Sequence, residues 1–287
     1  MPGDAAIPVR TDLSADPFNQ RPTLSVVMPH SMMVNGSVTT SGGSPSAGEA
    51  FHPLSTSTMA LRLATTPSRP RSAAAANRAL PSRSTWSLST RCGGPSGAIT
   101  SAIVGEAIPA LAELAGMIGD PAVRHKGTIG GSLANNDPTA DYPAAVMALG
   151  ATIVTNKRRL KAEEFFQGLF TTALESDEII TKVMFPLPKK AAYIKFRNQA
   201  SRYALVGVFA AKRPADVRVA VTGAGSNGVF RLTAFEEALK KRFSHKVLDG
   251  ISASAEGLNS DLHGSAEYRA HLIGVLTRRA VEAATAK

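Results

Sequence analysis

Residues 124–143 read Arg124-His125-Lys126-Gly127-Thr128-Ile129-Gly130-Gly131-Ser132-Leu133-Ala134-Asn135-Asn136-Asp137-Pro138-Thr139-Ala140-Asp141-Tyr142-Pro143, and the reading of the fold starts from them. Gly127, Gly130 and Gly131 remove three side chains within five residues. A bend so stripped lets successive backbone N–H groups converge on an anion such as a pyrophosphate. Thr128 and Ser132 add hydroxyl donors, and Asn135, Asp137 and Asp141 follow at intervals suited to ribose hydroxyls, amide groups or the loop itself. No Gly-Lys-Ser/Thr closes the stretch, so it is not a Walker loop. His125 has no ligand-spaced partner for a metal. The plain alternative is a glycine-rich turn packed on a helix, with the acids serving as caps.

Working outward, Glu106–Ile118 places Ile108, Leu111, Leu114, Ala115 and Ile118 at helical spacing, which predicts one helix ended by Asp120-Pro121. Downstream, Ala151–Thr155 reads as a strand and Glu163–Phe166 as a short helical turn. Glu178–Phe185 alternates like a strand and stops at Pro186-Leu187-Pro188, where a domain boundary is placed. Beyond it, Tyr193–Phe196 and Val217–Thr222 look like strands, and Phe235–Phe243 and Ala266–Ala284 like helices. Thr233 and Glu236 have the spacing of a capping box.

A chain of 287 residues has room for two compact domains, and 44% hydrophobic with 19% charged residues is an ordinary globular composition. No run approaches the ~18 to 20 apolar residues of a membrane helix. The N-terminus lacks a basic start followed by an apolar core, so a cytoplasmic protein is expected. The single cysteine, Cys92, rules out a disulfide framework and any iron–sulfur cluster ligated within this chain alone. A net charge of +10 raises the question of nucleic acid. However, Lys157, Arg158, Arg159 and Lys161 look like the solvated edge of a strand, and no basic helix carries interleaved aromatics, so nucleic acid is not an expected partner. Composition changes near position 100. Residues 50–105 contain no Asp, Glu or Lys but six Arg. A disordered linker, a basic binding tail and an out-of-frame translation of a GC-rich gene each fit that bias.

The string from Asp120 to Ala151 closely resembles the second FAD-binding motif of the medium subunits of molybdenum hydroxylases, the carbon monoxide dehydrogenase medium-subunit family. The family pattern is met by Asp120-Pro121, Arg124, Gly127 to Gly131, Asp137-Pro138, Asp141, Pro143 and Ala148 to Ala151. The resemblance covers roughly 104–287, taking in Asp177-Glu178-Ile179-Ile180, Tyr193 to Arg197, Ser201 to Ala204 and the last helices. It implies that Thr128, Ile129, Gly130, Gly131 and Ser132 line the FAD diphosphate, with Gly127 opening the turn. It further implies that Ile118 flanks the cofactor, that Asn135, Asp137 and Asp141 contact it further along, and that Ile179 or Ile180 touches it. Lys195 or Arg197 would approach the flavin, and Tyr203 would lie against the isoalloxazine. The implied partners are a large molybdenum-cofactor subunit and a small iron–sulfur subunit. The implied role is passage of electrons from the iron–sulfur centres to an external acceptor, with no catalytic acid, base or nucleophile in this chain.

The family's earlier Ala-Gly-Gly loop has its nearest candidates in Ser41 to Ser44 and Ser46 to Pro53, where Glu49 stands at a position expected to be small and neutral. A carboxylate there would repel a diphosphate, which keeps a flavin-free scaffold subunit as an alternative. A second alternative, a Rossmann NAD enzyme, rests on Gly223-Ala224-Gly225-Ser226-Asn227-Gly228. The next capped helix starts too late for that, at Thr233, and no acid follows at the required distance, so a hairpin turn is expected. The expected architecture is α+β: a two-lobed FAD-binding domain of the PCMH type, followed by a small α+β C-terminal domain. An atypical, partly disordered N-terminal lobe would occupy 1–103, the second FAD lobe 104–186 and the C-terminal flavoprotein domain 187–287.

Overall fold

A computed structural model describes residues 8–15, 22–27, 90–93 and 101–286. The candidate first loop, 41–53, lies outside them. Strands β1 (Pro8–Ala15), β2 (Pro22–Val27), β3 (Thr90–Gly93), β4 (Thr152–Thr155), β5 (Arg159–Lys161) and β8 (Ile180–Pro186) form one antiparallel sheet in the order β3-β1-β2-β8-β4-β5. Strand β8 joins its two halves: Val183 stands opposite Val26 on one side and Ile153 on the other. The sheet thus draws on the chain from both sides of residue 103. Two short strands, β6 (Phe166–Gly168) and β7 (Thr171–Thr172), make a separate hairpin.

Six helices accompany this sheet: α1 (Ala102–Ala107), α2 (Pro109–Met117), α3 (Pro121–Lys126), α4 (Ile129–Asn135), α5 (Tyr142–Leu149) and α6 (Ala162–Phe165). The single helix expected over 106–118 is two. Ile108, at φ −142°, ψ 76°, is not helical, because the residue before a proline is pushed out of the α region. Pro109 then begins the next helix at a position where its missing N–H costs nothing. The apolar positions read from the sequence still share a core, since Ile108, Leu111, Leu114 and Ala115 are all buried.

The C-terminal sheet contains β9 (Lys190–Arg197), β10 (Ala204–Lys212), β11 (Val217–Thr222) and β12 (Phe230–Arg231), antiparallel in the order β12-β11-β10-β9. Helices α7 (Thr233–Lys241) and α8 (Ala266–Ala286) follow. The sheet is a middle layer. Tyr193, Phe209, Ala211 and Ala220 join the core around α5, whose every residue is buried. Val206, Val208, Ala210 and Val219 join a second core with Leu272, Ile273 and Leu276 of α8. The capping box expected at Thr233 is not formed. Leu232 is the N-cap and offers no side-chain bond. Glu236 turns into the core instead, accepting from Val219 N at 2.9 Å and pairing with Arg231 at 2.5 Å, because a buried carboxylate needs a fixed donor and cation more than a helix end needs a cap.

Candidate functional site

The glycine-rich stretch is not the open bend its composition suggests. Gly127 and Thr128 are extended, and Ile129, Gly130 and Gly131 are the first turn of α4. Thr128 caps that turn, its Oγ1 accepting from Gly131 N at 2.9 Å. The first helical bond is Ser132 N to Thr128 O, so the N–H groups of Ile129 and Gly130 have no intrahelical acceptor. A Cβ at Gly131 would come to 3.1 Å from Thr128 Oγ1, so a side chain there would press on the cap. Two amides are therefore left without an intrahelical acceptor at one end of the stretch, and a capped helix aligns them rather than a run of left-handed glycines.

Arg124 fastens this turn to α2, with Nη1 donating to Ile118 O at 2.5 Å and Gly119 O at 3.0 Å. Gly119 in turn lies close to the β9–β10 connection, where a Cβ would meet Ser201 O at 3.3 Å. That connection carries Tyr203, which is exposed, and Arg202, whose φ is 61°. The structure thus brings Ile118, Gly119, Arg124 of α3 and the Ser201–Tyr203 turn to one region. Of the tasks its spacing suggested, Asp137 takes the loop itself: its Oδ1 accepts from Thr139 N at 2.8 Å and Thr139 Oγ1 at 2.7 Å. Asn135 is exposed on the last turn of α4.

Two residues that the sequence reading passed over do more. Asn136 is buried and left-handed at φ 44°, ψ 46°, and its Nδ2 donates to Gly168 O at 2.7 Å and Thr171 O at 2.9 Å, which ties the β6–β7 hairpin to the motif. Its Oδ1 is buried without a partner. Tyr193 is fully buried, and its hydroxyl donates to Asp141 Oδ1. Asp141 Oδ2 accepts from Lys195 Nζ at 2.8 Å, and Lys195 also donates to Met117 O at 3.1 Å. The side chains of Lys195 and Asp141 are 0% and 2% exposed. Burial raises the Asp141 carboxyl above its ordinary value and lowers the Lys195 ammonium, and in each case their pairing opposes the shift. Strand periodicity held the missing signal, since Tyr193, Lys195 and Arg197 alternate onto one face of β9. Arg197 itself is exposed.

Ile179 and Ile180 stand at the start of β8 with opposite exposure: Ile179 is exposed and Ile180 is in the core. Glu178 anchors them. Its buried carboxylate accepts from Arg158 Nη2 at 2.9 Å, Thr155 Oγ1 at 2.7 Å and Glu175 N at 3.0 Å. Arg158, read from sequence as part of a solvated edge, is thus engaged, as is Lys157 with Glu175 and Asp177. The Arg158 hydrogen bond, aided by Thr155 and the Glu175 amide, holds the Glu178 carboxyl down at about 2 against an ordinary 4.5. Its folded value lies below the unfolded one, so its stabilisation is present above the unfolded value and disappears as pH falls toward the folded one. The Glu178→Gln variant is therefore expected to be less stable at neutral pH and to show a flatter decline in urea midpoint between about pH 5 and 2 than the parent. Parallel acid limbs in the two proteins would show that Glu178 is not the group responsible.

Gly223–Gly228 is a connection between the antiparallel strands β11 and β12, with Gly223 at φ 86° and Gly228 at φ 93°, and helix α7 begins only at Thr233. This geometry excludes a Rossmann phosphate turn, in which the helix begins inside the glycine motif. Among the described residues, no helix is long and apolar enough to cross a membrane, and no group of His, Cys, Asp or Glu could hold a metal ion.

Comparison with known families gives the class of protein: a flavin-binding component of a dehydrogenase. A family model for the FAD binding domain in molybdopterin dehydrogenase matches residues 96–188, and one for the CO dehydrogenase flavoprotein C-terminal domain matches 191–284. The chain is 34% identical over 203 residues to the nicotine 6-hydroxylase medium subunit of Paenarthrobacter nicotinovorans, covering 66% of this chain and 71% of that one. It is 30% identical over 204 residues to the carbon monoxide dehydrogenase medium chain of Hydrogenophaga pseudoflava, with the same coverage, 66% and 71%. A chain of the solved CO dehydrogenase from Oligotropha carboxidovorans superposes with a TM-score of 0.60 at 29% identity, covering 68% of this chain and 73% of that one. The protein belongs to the FAD-binding medium subunits of molybdenum hydroxylases, the carbon monoxide dehydrogenase medium-chain family, and is an oxidoreductase component whose cofactor is FAD.

The described residues fit that cofactor. Two amides without an intrahelical acceptor at a capped helix start suit a diphosphate. The buried Lys195 ammonium, held by Asp141 Oδ2 and Met117 O, adds a fixed positive charge that suits an anionic cofactor.

Proposed function

We propose that this chain holds FAD with the diphosphate against Thr128, Ile129, Gly130, Gly131 and Ser132, and with the flavin ring between Ile118, Lys195 and Tyr203. The observation that carries the reading is the fixed position of the Lys195 ammonium, held by Asp141 next to Met117, the residue preceding Ile118. When bound, FAD accepts and releases electrons singly or in pairs. The work of this chain's own residues is to bind it, orient it and set the charge around it. Ile179, exposed at the start of β8, is the apolar contact of the pair 179–180, since Ile180 is committed to the core. Arg197 supplies a second, solvated positive charge on the same strand face as Lys195. Gly127 delivers the chain into the turn, Asp137 closes the loop that follows α4, and Asn135 stands exposed on the last turn of α4.

The complex proposed is one in which a large molybdenum-cofactor subunit oxidises the substrate. A small iron–sulfur subunit relays electrons to this flavin, and an external acceptor removes them in the cytoplasm. The medium-chain relatives support this assembly, and the lone Cys92 requires that any such cluster have ligands from another chain. Co-expression with candidate large and small subunits tests it. The expected result is a three-chain complex with the visible spectrum of oxidised flavin and one FAD released per copy of this chain. A stable complex purified without flavin would overturn the reading.

A further inference from the structure

We infer that Tyr193 and Asp141 are positioning residues that act through Lys195, together fixing where its ammonium stands relative to the flavin. The inference rests on the proposed placement of the flavin beside Lys195, and it reassigns Asp141, which family resemblance alone would make a cofactor contact. Both carboxylate oxygens of Asp141 are already engaged within the protein. One carboxylate oxygen receives the Tyr193 hydroxyl and the other receives Lys195 at 2.8 Å, in a side chain 2% exposed. Asp141 stands at the N-cap of α5 yet makes no side-chain capping bond there, so its carboxylate is committed wholly to β9.

Tyr193 is held as firmly as its partner. It is stacked 6.1 Å, centroid to centroid, from Phe209 on the neighbouring strand. Its hydroxyl occupies the space that a side chain at Gly207 would need, and the same space is closed on the other side by Thr222 Cγ2, 2.9 Å from where a Cβ would lie. Gly207 is therefore required to be small by the Tyr193 ring, not by backbone conformation. Thr222 also ties the strand to the Asp141 loop, its Oγ1 donating to Ala140 O at 2.6 Å and to Pro138 O at 3.0 Å. The carboxylate thus sits among hydrogen-bonded and packed neighbours, and it pins the four-carbon lysine stem. A lysine without such a partner keeps several rotamers and a diffuse charge. With it, the ammonium is a point charge at a fixed place.

A fixed cation beside a flavin favours its reduced, more negative form, so it raises the flavin's reduction potential. The test uses the full-length chain loaded with FAD and reads the midpoint potential by spectroelectrochemistry, with FAD affinity measured in parallel. Lys195→Met is expected to lower the potential. Tyr193→Phe, which removes one oxygen and leaves the ring, is expected to lower it in the same direction by a smaller amount. The double variant is expected to match Lys195→Met alone, because a residue acting through Lys195 has nothing left to act on. Additive shifts in the double variant would overturn the inference, and so would an unchanged potential in Tyr193→Phe beside a shifted one in Lys195→Met. An unchanged potential in Lys195→Met itself would instead remove the proposed placement of the flavin, which is a separate failure. Should Tyr193→Phe retain no flavin, the near-isosteric Asp141→Asn is read in its place. If neither holds flavin while Lys195→Met does, Tyr193 and Asp141 support the fold alone and the inference fails.

Discussion

Gly130→Asp is expected to weaken FAD binding by about a thousandfold while leaving the flavin-free protein folded. Gly130 is the second residue of α4, buried, with an amide that has no intrahelical acceptor. A carboxylate brought to about 4 Å from a phosphate repels it by about 4 kcal/mol at an effective dielectric near 20, which is roughly a thousandfold in affinity. The same carboxylate suits the helix. An acidic side chain in the first turn complements the orphan amides and the dipole, and is worth about 0.3–1 kcal/mol in the favourable direction. The two effects have opposite signs, so stability and cofactor binding separate. Titration of the apo-protein with FAD, beside thermal melts without it, checks both. A variant that binds FAD within a few-fold of the parent would mean the diphosphate lies elsewhere. Gly225→Asp is a poor control for this experiment, because a Cβ at Gly225 would already stand 2.6 Å from Gly228 O and would disturb the β11–β12 connection on its own account.

The three glycines of the motif mark how far sequence carries. Their spacing suggested amides presented to an anion, and the resemblance of the surrounding string pointed to FAD as the cofactor. The means was not legible, because three glycines in five residues serve equally well in an open bend or in the tight start of a helix. Thr128 decides between them, and a capping threonine looks like any hydroxyl donor until its Oγ1 is seen to accept from Gly131. Strand β10 escaped for a different reason. Ala204-Leu205-Val206-Gly207-Val208-Phe209-Ala210-Ala211 is buried on both faces, so it shows none of the alternation that revealed β8 or β11. Position along the chain also hid the buried cluster. Asp141 and Lys195 were each visible as charged residues in suggestive places, yet 54 residues separate them. Tyr193, the member that needs no charge to do its part, carried no signal beyond the two-residue period of its strand.

Arg269→Met is expected to produce the largest loss of fold stability of any single surface-distant charge removal in the C-terminal domain, about 3–5 kcal/mol, the range found when one partner of a buried ionic group is deleted. Arg269, on the first turn of α8, is 3% exposed in its side chain. Its Nη1 donates to Leu205 O at 2.9 Å and Gly223 O at 3.0 Å, while Nη2 reaches Asp261 at 2.8 Å. The carboxylate is the smaller part of the loss, because Asp261 is 44% exposed and can be rehydrated. The carbonyls dominate. Each buried acceptor left without a donor costs about 1–3 kcal/mol, and methionine supplies none. These two carbonyls lie at the start of β10 and just past the end of β11, and Gly223 N is bonded to Pro138 O at 2.8 Å, so slack at Arg269 is transmitted to the loop that presents Asp141. The expected drop in melting temperature is about 6–20 °C, taking 2–4 °C per kcal/mol for a domain of this size. The flavin-loaded protein should recover only part of it, because the cofactor's own pocket has loosened. Arg279→Met, on the exposed side of the same helix, should change stability by no more than about 0.5 kcal/mol. Equal melting temperatures for the Arg269 and Arg279 variants would show that the guanidinium is not what closes the ends of the two strands. A lowered melting temperature with unchanged FAD affinity would show that the strand ends and the Asp141 loop move independently.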